Sequence, residues 1–206
     1  MNPVQSRIRD YVARFPPELA ALKESCLRYL QYCSVIDTDG TVMIAHRPWV
    51  APLNYFITLY PGAKSSWFAQ YKKLHGITIP TLLHPLLKAT NGCFIFGTSF
   101  YGMAPSMLTK PPHLDRTKLQ CHDIATANRE WKREYTNASD QFHFAYRSHS
   151  DTENAGYFLV GKTTIRATLK SGEVIGEWSD LATFLKNELA ASEKHECSEI
   201  PEEWWH

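Results

Sequence analysis

Val4, Ile8, Tyr11, Val12 and Phe15 recur at helical spacing before Pro16-Pro17 interrupts the chain, which predicts a helix, a break and a second helix. Leu19, Leu22, Cys26, Leu27 and Leu30 give the second helix one apolar face, with Pro17 suited to its first turn. Short apolar runs over 33–36 and 42–45 flank Asp37-Thr38-Asp39-Gly40, a hairpin signal because Asp-Gly tolerates positive φ. Leu53, Phe56, Ile57 and Tyr60, between Pro52 and Gly62, predict a short helix. Trp67, Phe68, Tyr71 and Leu74 predict another, ended by Gly76. Leu82, Leu83, Leu86 and Leu87 form the next stripe, with Pro85 tolerable only in a first turn. Gly92 then supplies the left-handed residue that turns the chain into Phe94-Ile95-Phe96.

In the second half, Ile124, Ala127, Asn128, Trp131 and Tyr135 share one face of an expected helix capped by Asp123, with Trp131 as its core anchor. Phe142, Phe144 and Tyr146 alternate with Gln141, His143 and Ala145, the period of a half-buried strand, and a polar loop is expected from Arg147 to Asn154. Three strands follow over 156–160, 163–169 and 173–178, joined by Gly161-Lys162 and Ser171-Gly172: an antiparallel meander. Ser179 is the expected cap of a closing helix with Leu181, Phe184, Leu185 and Leu189 on its inner face. After Leu189 the apolar period dissolves into an acidic tail, 190–206, ending in Trp204-Trp205.

A chain of 206 residues can bury a sizeable core without staples, and 44% hydrophobic with 21% charged residues is ordinary globular composition. A formal charge of +1 gives no basic footprint for nucleic acid. Five cysteines, an odd number with no CxxC pair, suit reduced thiols. With no signal pattern and no long apolar run, the expectation is a cytoplasmic protein with no membrane partner.

Nine histidines and five cysteines invite a search for chemistry, but spacing decides it. Cys121-His122-Asp123 are chain neighbours, which point apart on a helix or strand, so they read as a helix start with Asp123 as cap. His143 and His149 lack the spacing of zinc ligands and read as polar positions on a strand and its loop. Gly92, Gly97 and Gly102 open no phosphate-binding helix. The expectation is no catalytic residue, no metal and no cofactor.

Three devices fall in order within one short stretch: Ile79-Pro80 opening a helix, Asn91-Gly92 closing it, and Tyr101-Gly102 after a short strand. With Gly156-Tyr157-Phe158-Leu159-Val160 and Trp178-Ser179-Asp180-Leu181, the chain from about Tyr71 to Leu189 resembles the SUKH superfamily, the cell-wall-assembly-regulator-like proteins. The resemblance implies an α+β fold: an antiparallel or mixed sheet of about five or six strands with helices packed on one side. Residues 1–70 would add an N-terminal helical layer to the core, 71–189, followed by the tail, 190–206. No flexible linker separates residues 1–70 from Tyr71, so they are expected to fold with the core.

The resemblance also implies a non-enzymatic protein-binding domain: an immunity protein that neutralises a cognate polymorphic toxin, or alternatively a regulatory scaffold. The partner is then a protein, a toxin domain above all. The meander's polar face and its loops, Arg166, Lys170, Glu173, Glu177, Asp151 and Glu153, are the candidate binding residues, with Trp204 and Trp205 of the tail.

Overall fold

The computed structural model describes residues 2–109, 119–150 and 153–197. Asn2 caps the first helix, α1 (Pro3–Ala13): its side chain accepts from Gln5 N, and the Gln5 side chain accepts from Asn2 N. A 3-10 turn over Pro17–Leu19 leads into α2 (Ala20–Tyr29). The expected hairpin is β1 (Val35–Ile36) and β2 (Val42–His46).

Residues 55–61 form a strand, β3 (Tyr55–Pro61), where a helix was expected. The helical spacing of Leu53, Phe56, Ile57 and Tyr60 is coincidental. Tyr55, Phe56 and Ile57 are consecutive and all buried, as in a strand covered on both faces, and Leu53 is 77% exposed. Then follow α3 (Ser65–His75), stopped by left-handed Gly76, and α4 (His84–Ala89), which carries Pro85 in its first turn. α4 ends at Ala89, so Asn91-Gly92 does not close it. Both residues lie inside β4 (Thr90–Ile95), which pairs with β5 (Thr98–Phe100).

The expected helix over 124–135 is split. Its first part is α5 (Ile124–Arg129), capped by the Asp123 side chain accepting from Thr126 N. Glu130 breaks it, and a 3-10 turn covers Trp131–Glu134. The remaining strands are β6 (Phe142–Ser148), β7 (Asn154–Val160), β8 (Thr164–Leu169) and β9 (Val174–Trp178). Arg147 therefore belongs to a strand and not to a loop. The last helix, α6 (Leu181–Cys197), runs past Leu189 into the stretch read as tail, and Asp180, not Ser179, accepts from Thr183 N at its start.

Over the described residues the fold is α+β with a nine-stranded antiparallel sheet, larger than the five or six strands expected, in the order β1 to β9. Its register explains its two faces. Val42, Leu59, Cys93, Phe100, Ala145, Tyr157, Ala167 and Gly176 pair successively from β2 to β9, and paired residues point the same way. This row is buried from Val42 to Ala167, and α6 closes it through Phe184, whose ring meets those of Phe100, Phe144, Tyr157 and Trp178. Tyr29 of α2 packs on Phe56 and Phe96.

The adjacent row, Met43, Thr58, Phe94, Ser99, Tyr146, Gly156, Thr168 and Val174, points to the opposite face. Thr58, Phe94 and Tyr146 on it are only half-buried. The 3-10 turn after α5 reaches part of this face, so helical structure is not confined to one side of the sheet. No helix among the described residues is long and apolar enough to cross a membrane.

Candidate functional site: an aromatic cleft on the open sheet face

Two glycines of the family-like motif build the corner on which the site depends. Gly102 donates its N–H to His122 O, and its carbonyl accepts from Ile124 N, which docks residues 122–124 against the sheet end. A Cβ on Gly102 would lie 2.2 Å from Asn91 O, and one on Gly92, at φ +83°, would lie 2.7 Å from Cys121 Cβ. Asn91 locks the corner: its side chain donates to Met103 O and accepts from Met103 N, each at 2.8 Å. Asp123 accepts from the Tyr71 hydroxyl at 2.7 Å and so ties α3 to the start of α5. These contacts leave His122 over the open face of the sheet.

There His122 meets a group of rings. Its imidazole lies nearly parallel to Tyr146, 5.8 Å between centroids, and edge-on to Trp131 at 5.6 Å. Tyr101 forms the floor, 5.4 Å from Trp131 and 5.9 Å from Tyr146. Tyr135 lies flat enough to pack because β7 has Gly156 beneath it: a Cβ there would sit 2.7 Å from the Tyr135 ring. The resulting cleft, about 250 Å³, is completed by His143, Glu134, Asn154 and Lys170. Lys170 Nζ and Glu134 Oε2 are 2.6 Å apart at its rim.

A second hollow of about 200 Å³ shares His122 and continues over Ser99, Phe94, Thr58 and Tyr60 to the exposed Leu53. A larger one of about 390 Å³ lies beyond, bordered by Thr109 and Leu119 where the chain passes into residues 110–118. The residues lining the aromatic cleft are all among those described.

Burial sets the protonation of the cleft. It holds the His143 imidazole far below its ordinary range, to about 3, although the carbonyls of Ala145 and Ala127 favour the proton. His143 is stacked on Phe158 at 4.5 Å and shares a hydrogen bond of 3.2 Å between its Nε2 and the Tyr101 hydroxyl. His122 is also lowered by desolvation, despite an exposed outer edge, because rings replace water on its inner side. Burial pushes the Tyr135 phenol up to about 12, and Glu134 and Glu153 add to the rise.

The His143 shift predicts an acid limb in stability. Between pH 6.5 and 3 the unfolded histidine binds a proton that the folded one refuses, so stability is full above about pH 6.5 and falls as pH drops toward 3. His143→Phe should flatten that limb by up to about 1.4 kcal/mol per pH unit in denaturant titrations. An unchanged slope would contradict the buried, neutral assignment.

The Ser99 hydroxyl lies 3.1 Å from His122 Nδ1, which is half of a nucleophile–base arrangement. Ser99 is 5% exposed on a regular strand, and among the described residues no carboxylate hydrogen-bonds His122 to orient it. Cys121 is buried with its thiol pK raised by desolvation, the reverse of an activated nucleophile. Among the described residues no three His, Cys, Asp or Glu side chains converge as metal ligands.

The residues singled out from sequence divide. Lys170 stands at the cleft rim. Arg166 and Glu177 pair across β8 and β9 at 2.9 Å, on the same face as Phe158 and His143. Glu153 closes the β6–β7 turn, its carbonyl accepting from His149 N and Ser150 N, next to Asn154 of the cleft. Glu173 is exposed in the β8–β9 turn, away from the lining. Asp151, Trp204 and Trp205 lie outside the described residues. Sequence reasoning missed Tyr101, Trp131, Tyr135 and Tyr146 as site residues; it placed Trp131 in the core, but Trp131 is half-buried against Tyr101 and His122. Compared with known proteins, the chain matches no family model, no curated protein and no solved structure at a significant level.

Proposed function

We propose that the protein acts without catalysis, by binding a protein partner through the aromatic cleft, and that this partner is a toxin domain that it neutralises. The observation that carries the reading is the cleft itself: Trp131 and Tyr146 half-exposed beside the exposed His122, set around the buried Tyr101 and Tyr135, on the sheet face opposite α6. Tyrosine and tryptophan offer large contact area at little entropy cost, and they dominate binding hot spots. The rim is polar, with Lys170–Glu134 as an exposed ion pair, and Arg166–Glu177 pair further along the same sheet face, the arrangement of an apolar centre with a hydrated border.

The SUKH-like motifs supply the toxin-neutralising role, and in this chain Asn91, Gly92 and Gly102 of those motifs form the corner that presents His122. The near-neutral charge disfavours mimicry of nucleic acid in a nuclease active site, where a strongly acidic inhibitor would gain steered association. The test is co-expression with the product of the neighbouring gene. A stoichiometric complex that protects cells from that product is expected. No complex at micromolar concentration and no protection would overturn the reading.

A further inference from the structure

The chemistry of the cleft suggests which side chain of a partner enters it; this inference rests on the binding role proposed above. Its accessible rings are Trp131, Tyr146 and His122, set around the buried Tyr101, and aromatic faces attract cations. No cation of the described residues lies over these rings. His122 and His143 are held neutral by burial, and the Lys132 ammonium donates instead to the carbonyls of Ser139 at 2.9 Å and Gln141 at 3.3 Å.

Carboxylates flank its outer wall: beyond the effect of burial, Glu134 adds to the raised phenol pK of Tyr101 and Tyr135 and Glu153 to that of Tyr135, while the Lys132 charge acts in the opposite sense on His143 at the inner wall. Lys170 is the one lining cation among the described residues, and it reaches Glu134 in an exposed pair, the kind worth at most about 1 kcal/mol and readily exchanged. A volume of about 250 Å³ lies below the usual range for drug-sized ligands, roughly 300–1,000 Å³, and suits a single side chain.

We propose that the cleft receives an arginine side chain of the protein partner, its guanidinium lying against Trp131 and Tyr146 and its N–H fork on Glu134 in place of Lys170. Arginine fits better than lysine. The guanidinium is planar, weakly hydrated and able to stack while it hydrogen-bonds a carboxylate through two donors, whereas an ammonium is a strongly hydrated point charge.

The test uses the intact chain and two small probes, the N-acetyl methylamides of arginine and of citrulline, its uncharged isostere, followed by the indole N–H resonance of Trp131. The arginine probe should shift that resonance saturably at millimolar concentration, and citrulline should bind at least about fivefold more weakly. Glu134→Gln, an exposed substitution that leaves the fold intact, should weaken arginine binding about fivefold and leave citrulline unchanged. Equal response to both probes, no response to arginine, or indifference to Glu134→Gln would each overturn the arginine assignment. A partner complex that persists under any of those results, yet is lost in Trp131→Ala, would leave the binding role standing, so the two ideas fail separately.

Discussion

Replacing Glu188 by alanine is expected to cost about 3–5 kcal/mol of folding stability, because it strands a charge under α6. Glu188 has 4% of its side chain exposed and Arg147 16%, and Glu188 Oε1 lies 2.5 Å from Arg147 Nε. The pair is embedded further. Arg147 Nε also donates to the Tyr157 hydroxyl at 3.0 Å, Ser192 Oγ donates to Glu188 Oε1 at 3.1 Å, and Ser192 meets Thr98 at 2.9 Å. Removing both charges by Arg147→Met with Glu188→Leu should cost less than the single change, since apolar groups of similar volume replace a buried pair with little net loss. Denaturant midpoints at unchanged m-value measure both. A single variant within about 1 kcal/mol of the parent would mean that the pair is hydrated.

Deleting residues 1–64 should abolish cooperative folding altogether. The segment contributes α1, α2 and three of the nine strands, and it buries Ile8, Val12, Leu22, Ile44, Phe56 and Ile57 to 1% exposure or less. At about 1.5–3 kcal/mol for each such side chain, these six alone match or exceed the 5–15 kcal/mol that holds a typical domain together. The segment is also fastened to the other end of the chain. Arg47, lying over the Phe56 ring, is 2.6 Å from Glu196, Arg28 is 2.6 Å from Glu193, and the Tyr29 hydroxyl is 2.8 Å from Cys197 Sγ. A chain beginning at Ser65 that kept the full-length melting temperature would show that the strands of 35–61 are dispensable, contrary to the sheet order.

The features legible from sequence are those written in local chemistry. α1 announces itself through its apolar period, α3 through Gly76, the β1–β2 hairpin through Asp39-Gly40, and α5 through its Asp123 cap. The misreadings have physical causes. The consecutive apolar residues of β3 satisfy a helical template as well as a strand, and only pairing with β2 and β4 chooses between them. The end of α6 was hidden because its inward positions after Leu185 include Glu188 and Ser192, polar residues buried by virtue of Arg147 and Thr98 on distant strands. The cleft was illegible for the same reason. Tyr101, Trp131 and Tyr146 are spread over three segments, and a buried tryptophan and a cleft tryptophan carry the same periodic signal.

If a partner protein binds on the open sheet face, calorimetric titration of the purified neighbouring gene product against a small set of variants will read it out. Trp131→Ala and Tyr146→Ala should each raise the dissociation constant by about tenfold or more, as expected of aromatic anchors at the centre of an interface. Glu24→Ala, exposed on α2 at the helix-covered side, should leave it unchanged. Unaltered affinity in both cleft variants, with the Glu24 variant weakened, would place the interface on the helical side and contradict the account.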